Sequence, residues 1–383
     1  MSKLPDPSCP VCHKSRFRDL ADPWRGASLL SDMRTTPERL GKAICEGCGL
    51  VRRRFLPTMD SHRTIFGADY SLFSNPPSVH SRRRQEAIAA WLHAVLGTLT
   101  PHSILEVGCG DGSLLEALGL YYPAATLRGI EPALRAAMQA RSRGLDVSRG
   151  FDELVAAGGT VDFVVSVNVI EHTTSPLAFL QSLRGALRPD SELIVICPDG
   201  DVPNYELLFY DHLYSLGDTA LRSFCLQAGL LPIAVKKAPR ELGPFHLLHA
   251  RLAEKKSIIT ATFGPGNIAV GEARDTYLRA WDNLDETLLA RVGGRNRITA
   301  FGNGDVAALL SLYAPQTWVN VEACVVDGTP SVSTFLSLPL RAYEPSQPGP
   351  FLLAVRPGSQ EPVAHRLSGF GCEVIRWDDV IPQ

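Results

Sequence analysis

The sequence has no charge excess: 38 Lys and Arg stand against 40 Asp and Glu, a formal net charge of −2. Nucleic acid and anionic membrane both attract basic surface, so neither is expected as a partner. No uncharged apolar run approaches the ~18 residues that suggest a membrane span. The opening stretch MSKLPDPSCPVC lacks the apolar core of a secretory signal. A cytoplasmic location is the resulting expectation. Internal repeats and low-complexity tracts are also missing. What remains is an ordinary globular composition, 45% hydrophobic and 20% charged, over 383 residues. That length suggests two or three domains.

Five of the nine cysteines, Cys109, Cys197, Cys225, Cys324 and Cys372, are scattered as reduced core thiols would be. The other four form two C-x-x-C knuckles, CPVC (Cys9, Cys12) and CEGC (Cys45, Cys48), with 32 residues between them. Two tight turns carrying two thiolates each can complete a tetrahedral sulfur set around Zn2+. Four thiolates close the coordination sphere, so the expected zinc is structural. A catalytic dithiol would need one pair beside a thioredoxin-like pattern, which is absent.

Beyond RRQEAIAAWLHAVLGTLT, a helical pattern over 83–100, strands and helices alternate: SILEVG, GSLLEALGLYY, TLRGIE, PALRAAMQARSRG, VDFVVSVNVI, SPLAFLQSLRGAL, ELIVICP, DTALRSFCLQAGL and then LPIAVKK and PFHLLHARL. Continuous Val/Ile-rich strands alternating with helices predict an α/β fold whose parallel sheet is covered by helices on both faces. Residues 255–272 read as a linker, and a helical stretch follows from about Ala273 to Val292. RITAFGNGDVAALLSLY, WVNVEACVVD and PFLLAVRP then predict a second, smaller α/β unit. The expected division is a zinc-binding lobe over 1–82, a central domain over 83–254 and a C-terminal α/β domain over 255–383.

The loop ILEVGCGDG (104–112) carries Gly108, Gly110 and Gly112 at every second position after an acid, Glu106. Dinucleotide loops space their glycines G-x-G-x-x-G around a pyrophosphate, and this loop does not. It suits close approach of a thin chain without phosphates, with Glu106 accepting from an ammonium group. Glu131 ends the second strand, where an acid accepts from both ribose hydroxyls in nucleotide-binding folds. Asp152, in RGFDEL after the third strand, is placed to meet an adenine amino group.

Together with VSVNVIEH at the fourth strand, which holds Asn168, these pieces resemble the class I S-adenosylmethionine-dependent methyltransferases. The resemblance implies a Rossmann-like methyltransferase sheet. It also implies that Glu106, Gly108, Gly110, Gly112, Glu131, Asp152 and Asn168 hold S-adenosylmethionine. A narrower resemblance follows from domain order and from FGNG...APQTWVNVEACVVDGTP: a four-cysteine zinc lobe, a methyltransferase domain and a C-terminal Rossmann-like domain are the layout of sugar C-methyltransferases of deoxysugar pathways. Those enzymes methylate a carbon beside a ketone on a nucleotide-linked sugar, which requires a base. Their pattern Tyr-x-Glu-His appears here as Phe209-Tyr210-Asp211-His212, so the resemblance makes His212 the base and Asp211 its orienting acid. It assigns His172, in NVIEHTTSP, to the methyl-transfer centre and Tyr70, in ADYSLFSN, to the approach to the acceptor. A monomer acting on a small molecule is expected. O- or N-methylation of another acceptor, and a non-catalytic binding protein that kept the fold, are the alternatives.

Overall fold

The computed structural model describes residues 8–67, 70, 79–151, 159–253, 266–295 and 297–381. They separate into two units whose chain segments interleave. The first comprises Met1–Arg18, Ile44–Asp201 and Asp211–Ile268; the second comprises Asp19–Ala43, Val202–Tyr210 and Ala269–Gln383.

Seven strands organise the first unit: β1 (Ser103–Val107), β2 (Thr126–Ile130), β3 (Asp146–Ser148), β4 (Val161–Val167), β5 (Leu187–Pro198), β6 (Leu230–Lys237) and β7 (Phe245–Leu252). Their order across the sheet is β6-β7-β5-β4-β1-β2-β3. Successive side chains of a strand point to opposite faces, and here both faces are apolar. Ile104, Phe163, Val165, Ile194, Ile196 and Leu247 face one way, onto Ile88 and Leu92 of helix Val79–Leu96 and Leu114 and Leu118 of helix Ser113–Tyr121. Their neighbours Leu105, Val164, Leu193, Val195 and Leu248 face the other, onto Leu180 and Leu183 of helix Pro176–Gly185 and Leu221 and Phe224 of helix Asp218–Gln227. Ser175 starts the third of these helices, its hydroxyl accepting from the Ala178 N–H at 3.2 Å, with Pro176 at the first helical position.

The sheet is not wholly parallel as its alternating pattern suggests. β1 to β5 pair parallel, but β7 runs antiparallel to both β5 and β6. The connection between β6 and β7 spans residues 238–244, too short for the crossover that a parallel return requires. Apolar strands carry no mark of direction; connection length does.

A four-stranded sheet in the order Phe17–Asp19, Lys42–Cys45, Val51–Arg53, Tyr214–Ser215 holds the cysteine knuckles. A short helix, Met59–Ile65, capped by Thr58, follows it. Hydrophobic periodicity predicts no element there.

The second unit has its own six-stranded sheet, built on β8 (Ile298–Phe301), β9 (Val321–Val326), β10 (Thr334–Phe335), β11 (Leu338–Ala342), β12 (Phe351–Leu353) and β13 (Val374–Arg376), in the order β10-β11-β9-β8-β12-β13. This is the smaller α/β unit expected. Its long helix differs from expectation: it begins at Gly266, ends at Asp282, and a second helix runs Leu284–Val292. Gly266 and Asn267 read as linker, yet both are tolerated in a first helical turn. Among the described residues no helix is long and apolar enough to cross a membrane.

Candidate active site

Ligands of sheets like this lie beyond the carboxyl ends of the strands, and the loops there carry most of the residues singled out from sequence. After β1 the chain turns through Gly108, Gly110 and Gly112, all left-handed at φ 80°, 55° and 79°. A Cβ on Gly108 would stand 2.3 Å from Val169 Cγ2, and one on Gly112 2.1 Å from Leu145 Cδ1. Backbone conformation and the protein's own packing therefore demand glycine at these two positions, where sequence suggested ligand approach. Gly110 also anchors an acid. Its N–H donates to Glu131 Oε2 at 2.9 Å, while the Ala133 N–H donates to Oε1 at 2.7 Å. Both bonds stabilise the Glu131 carboxylate, but burial outweighs them and raises its pKa.

Glu106 is 3% exposed, and its Oε2 has no hydrogen-bond partner among the described residues. Burial pushes its pKa well above the carboxylate range, helped by the negative charges of Asp111 and Glu131. Asn168, at the end of β4, adopts φ 54°, a conformation asparagine tolerates. Its Oδ1 is likewise buried and unpartnered. Two orphaned acceptors at the same sheet edge ask for donors that the described protein does not supply. Asp152 lies outside the described residues.

A second cluster joins the loop after β4 to the loop after β5. His172 is 6% exposed and His212 5%, and their rings meet edge to face at 4.7 Å and 90°. The sequence pairs Asp211 with its neighbour His212. In the structure Asp211 addresses His172: Nδ1 is 2.9 Å from the Asp211 carbonyl oxygen and 3.7 Å from Oδ2. A carbonyl can only accept, so Nδ1 carries the proton and the neutral ring keeps its lone pair on Nε2. Burial holds His172 neutral by lowering its pKa to about 4, against the opposing pull of Asp211. Tyr70 belongs to the same constellation through Phe66, whose ring lies 4.9 Å from Tyr70 and 5.2 Å from His172.

Sequence reasoning missed three members of this cluster. Glu171, 1% exposed, brings a carboxylate within 4.8 Å of the ligating nitrogens of both histidines. His62, on helix Met59–Ile65, donates from Nε2 to the His172 carbonyl at 2.8 Å, and the Phe66 ring lies tilted against it with centroids 4.7 Å apart. The available signal was Thr58-x-x-Ser61, a helix start that sets His62 and Phe66 one turn apart. A third group also went unnoticed. His246, at the start of β7, bonds Asp199 Oδ1 at 2.6 Å and Asp201 Oδ2 at 3.0 Å. Burial disfavours its charge, but the two carboxylates raise its pKa to about 9.

Cys9, Cys12, Cys45 and Cys48 come together with all four sulfurs within 4.8 Å. Cys9 and Cys48 are 3.6 Å apart, Cys12 and Cys45 3.4 Å. A ZnS4 tetrahedron with bonds of about 2.3 Å has edges of about 3.8 Å, so the donor set fits the ion. The Gly47 N–H also points at Cys45 Sγ, 3.4 Å away. Neighbouring thiols donating to that sulfur lower the Cys45 pKa.

Residues 80–233 match the family model described as "Methyltransferase domain". The ubiquinone biosynthesis O-methyltransferase of Dinoroseobacter shibae is 34% identical over 101 residues, 24% of this chain and 39% of that protein. Its counterpart from Cupriavidus pinatubonensis is 26% identical over 113 residues, covering 27% and 44%. The chain thus spans well under half the length of these curated relatives. The mitomycin 7-O-methyltransferase MmcR is a weak structural likeness, at 19% identity, 45% of this chain, 54% of that one and a TM-score of 0.39. This chain carries a methyltransferase domain. It occupies the segment that builds helix Val79–Leu96 and β1 to β5 and ends within β6.

Proposed function

We propose that the chain is an S-adenosylmethionine-dependent methyltransferase acting on a small molecule. One observation carries this reading: inside the matched domain, the carboxyl ends of β1 and β4 present two buried, unpartnered acceptor oxygens, Glu106 Oε2 and Asn168 Oδ1. An ammonium group brings the donors such a site lacks. Glu131, anchored by Gly110 and Ala133, retains lone pairs for ribose hydroxyls, and Asp152 completes the set toward the adenine. When bound, S-adenosylmethionine supplies an electrophilic methyl group on a sulfonium centre. Cys9, Cys12, Cys45 and Cys48 hold a structural zinc.

The acceptor's proton falls to the histidine cluster. His212 acts as base, His172 and Asp211 hold it in place, and Tyr70 faces the acceptor. The order of knuckles, methyltransferase domain and second α/β unit favours carbon methylation of a nucleotide-linked keto sugar. Oxygen methylation is the second reading, favoured by the relatives named O-methyltransferases. The same base serves there, with less to do, since a hydroxyl loses its proton more readily than a carbon.

Calorimetric titration with S-adenosylmethionine should give one site in the parent. His212→Asn should keep that affinity while slowing methyl transfer about 10²–10⁴-fold. Binding without turnover on any acceptor tried in the parent would favour a binding protein, and no binding would remove the reading altogether. A product carrying the new methyl on carbon, against oxygen, separates the two acceptor chemistries.

A further inference from the structure

Arg52 sits four residues after Cys48, in the strand Val51–Arg53, and is 2% exposed. Its guanidinium lies over the Phe17 ring, 4.3 Å from the centroid. Nη1 reaches the Arg53 carbonyl at a long 3.4 Å, and Nε and Nη2 have no acceptor among the described residues. A guanidinium cannot shed its proton at any ordinary pH, so this one is a buried cation with two unanswered donors. Such a group is strongly unfavourable unless an anion is near.

The surroundings indicate which anion. Arg52 pairs across the sheet with Tyr214. Tyr214 packs in one apolar cluster with Cys9, Cys45 and Cys48, against which Cys12 and Phe17 also pack. Arg52 is thus joined to the sulfur cluster on two sides, through the Phe17 ring against its guanidinium and through Tyr214 on the neighbouring strand. Four thiolates around Zn2+ carry a net charge of −2, buried here in an apolar cluster.

We propose that Arg52 is the buried counter-cation of the four-thiolate zinc centre. This rests on the zinc reading above. The guanidinium lowers the free energy of the doubly negative centre and so favours the metallated thiolates over protonated, metal-free thiols. Each charge accounts for the burial of the other, which neither the knuckle spacing nor the methyl-transfer site explains.

The test uses the full chain and Zn2+ itself, in competition with a chromophoric chelator. Arg52→Met should bind zinc about 10- to 100-fold more weakly, the range seen when groups supporting metal ligands are removed. Arg52→Lys, which keeps the charge but not the planar group over Phe17, should lose clearly less than Arg52→Met on the same scale. Thermal unfolding supplies a sign that simple packing would not produce. Arg52→Met should melt below the parent when both hold zinc, and above it when both are metal-free, because the apo parent keeps an uncompensated charge. If Arg52→Met does not fold, Arg52→Gln replaces it. A parent that holds no zinc overturns the zinc reading and this inference with it. A zinc-loaded parent whose affinity survives Arg52→Met, or loses equally in Arg52→Lys, overturns the inference alone.

Discussion

Glu106 and Asn168 each bury a polar atom that the described protein leaves unanswered, and Glu106 holds its proton more tightly than an ordinary carboxyl. An ammonium group arriving beside Glu106 favours the carboxylate, so binding of S-adenosylmethionine should expel a proton there. Titration in buffers of different ionisation enthalpy measures that release, and Glu106→Gln should abolish it while weakening affinity about 10-fold or more. The two perturbed histidines act on stability in opposite directions. His172, at about 4 when folded against about 6.5 unfolded, binds fewer protons in the native state. Its contribution is complete above pH 6.5 and is lost as pH falls toward 4. His246, at about 9, binds more protons when folded, so its contribution is complete below pH 6.5 and is lost as pH rises through 9. Each limb amounts to up to about 3 kcal/mol. Denaturant unfolding across pH 4 to 9.5 should show both limbs; His172→Asn should flatten the acid side and His246→Gln the alkaline side.

Helix Met59–Ile65 is short for a helix that must stand alone, and its anchor is the His62 bond to the His172 carbonyl. Glutamine can present an N–H at similar reach, and leucine cannot. His62→Gln should therefore retain stability, while His62→Leu should lose about 1 kcal/mol and slow methyl transfer by loosening His172. Equal turnover in the two variants would reduce the helix to packing. The strands of the central sheet behave differently. They bury apolar side chains on both faces, and the polar groups proposed to hold the cofactor, Glu106, Glu131 and Asn168, lie at or near strand ends.

At the scale of the molecule, two units with separate cores favour separate unfolding steps. S-adenosylmethionine at 100 times its dissociation constant should stabilise only the first unit, by about 2.7 kcal/mol. A chelator should destabilise that same unit, since the knuckles belong to it. Scanning calorimetry with each addition checks both; a shift of the second unit's transition on either would contradict the assignment.

Much of the first unit was legible because its signals are local. Strand-helix alternation, three glycines after SILEV and two C-x-x-C turns each express themselves within a few residues, through φ angles, side-chain alternation and ligand spacing. What only the tertiary structure decided depends on segments far apart in the chain. The antiparallel β7 follows from where a seven-residue connection can reach. Asp211 reaches back 39 residues to His172, His62 crosses 110 residues to the same histidine, and His246 gathers Asp199 and Asp201 from across the sheet edge. Residues 19–43 and 202–210 fold with the C-terminal unit although methyltransferase sequence separates them. Arg52 reads as one basic residue in a run of three, and only burial makes it a charge in need of a partner. A sequence states which groups exist and how their neighbours bend the chain; which groups meet is settled by packing, where burial turns an ordinary side chain into a base, an anchor or an unanswered charge.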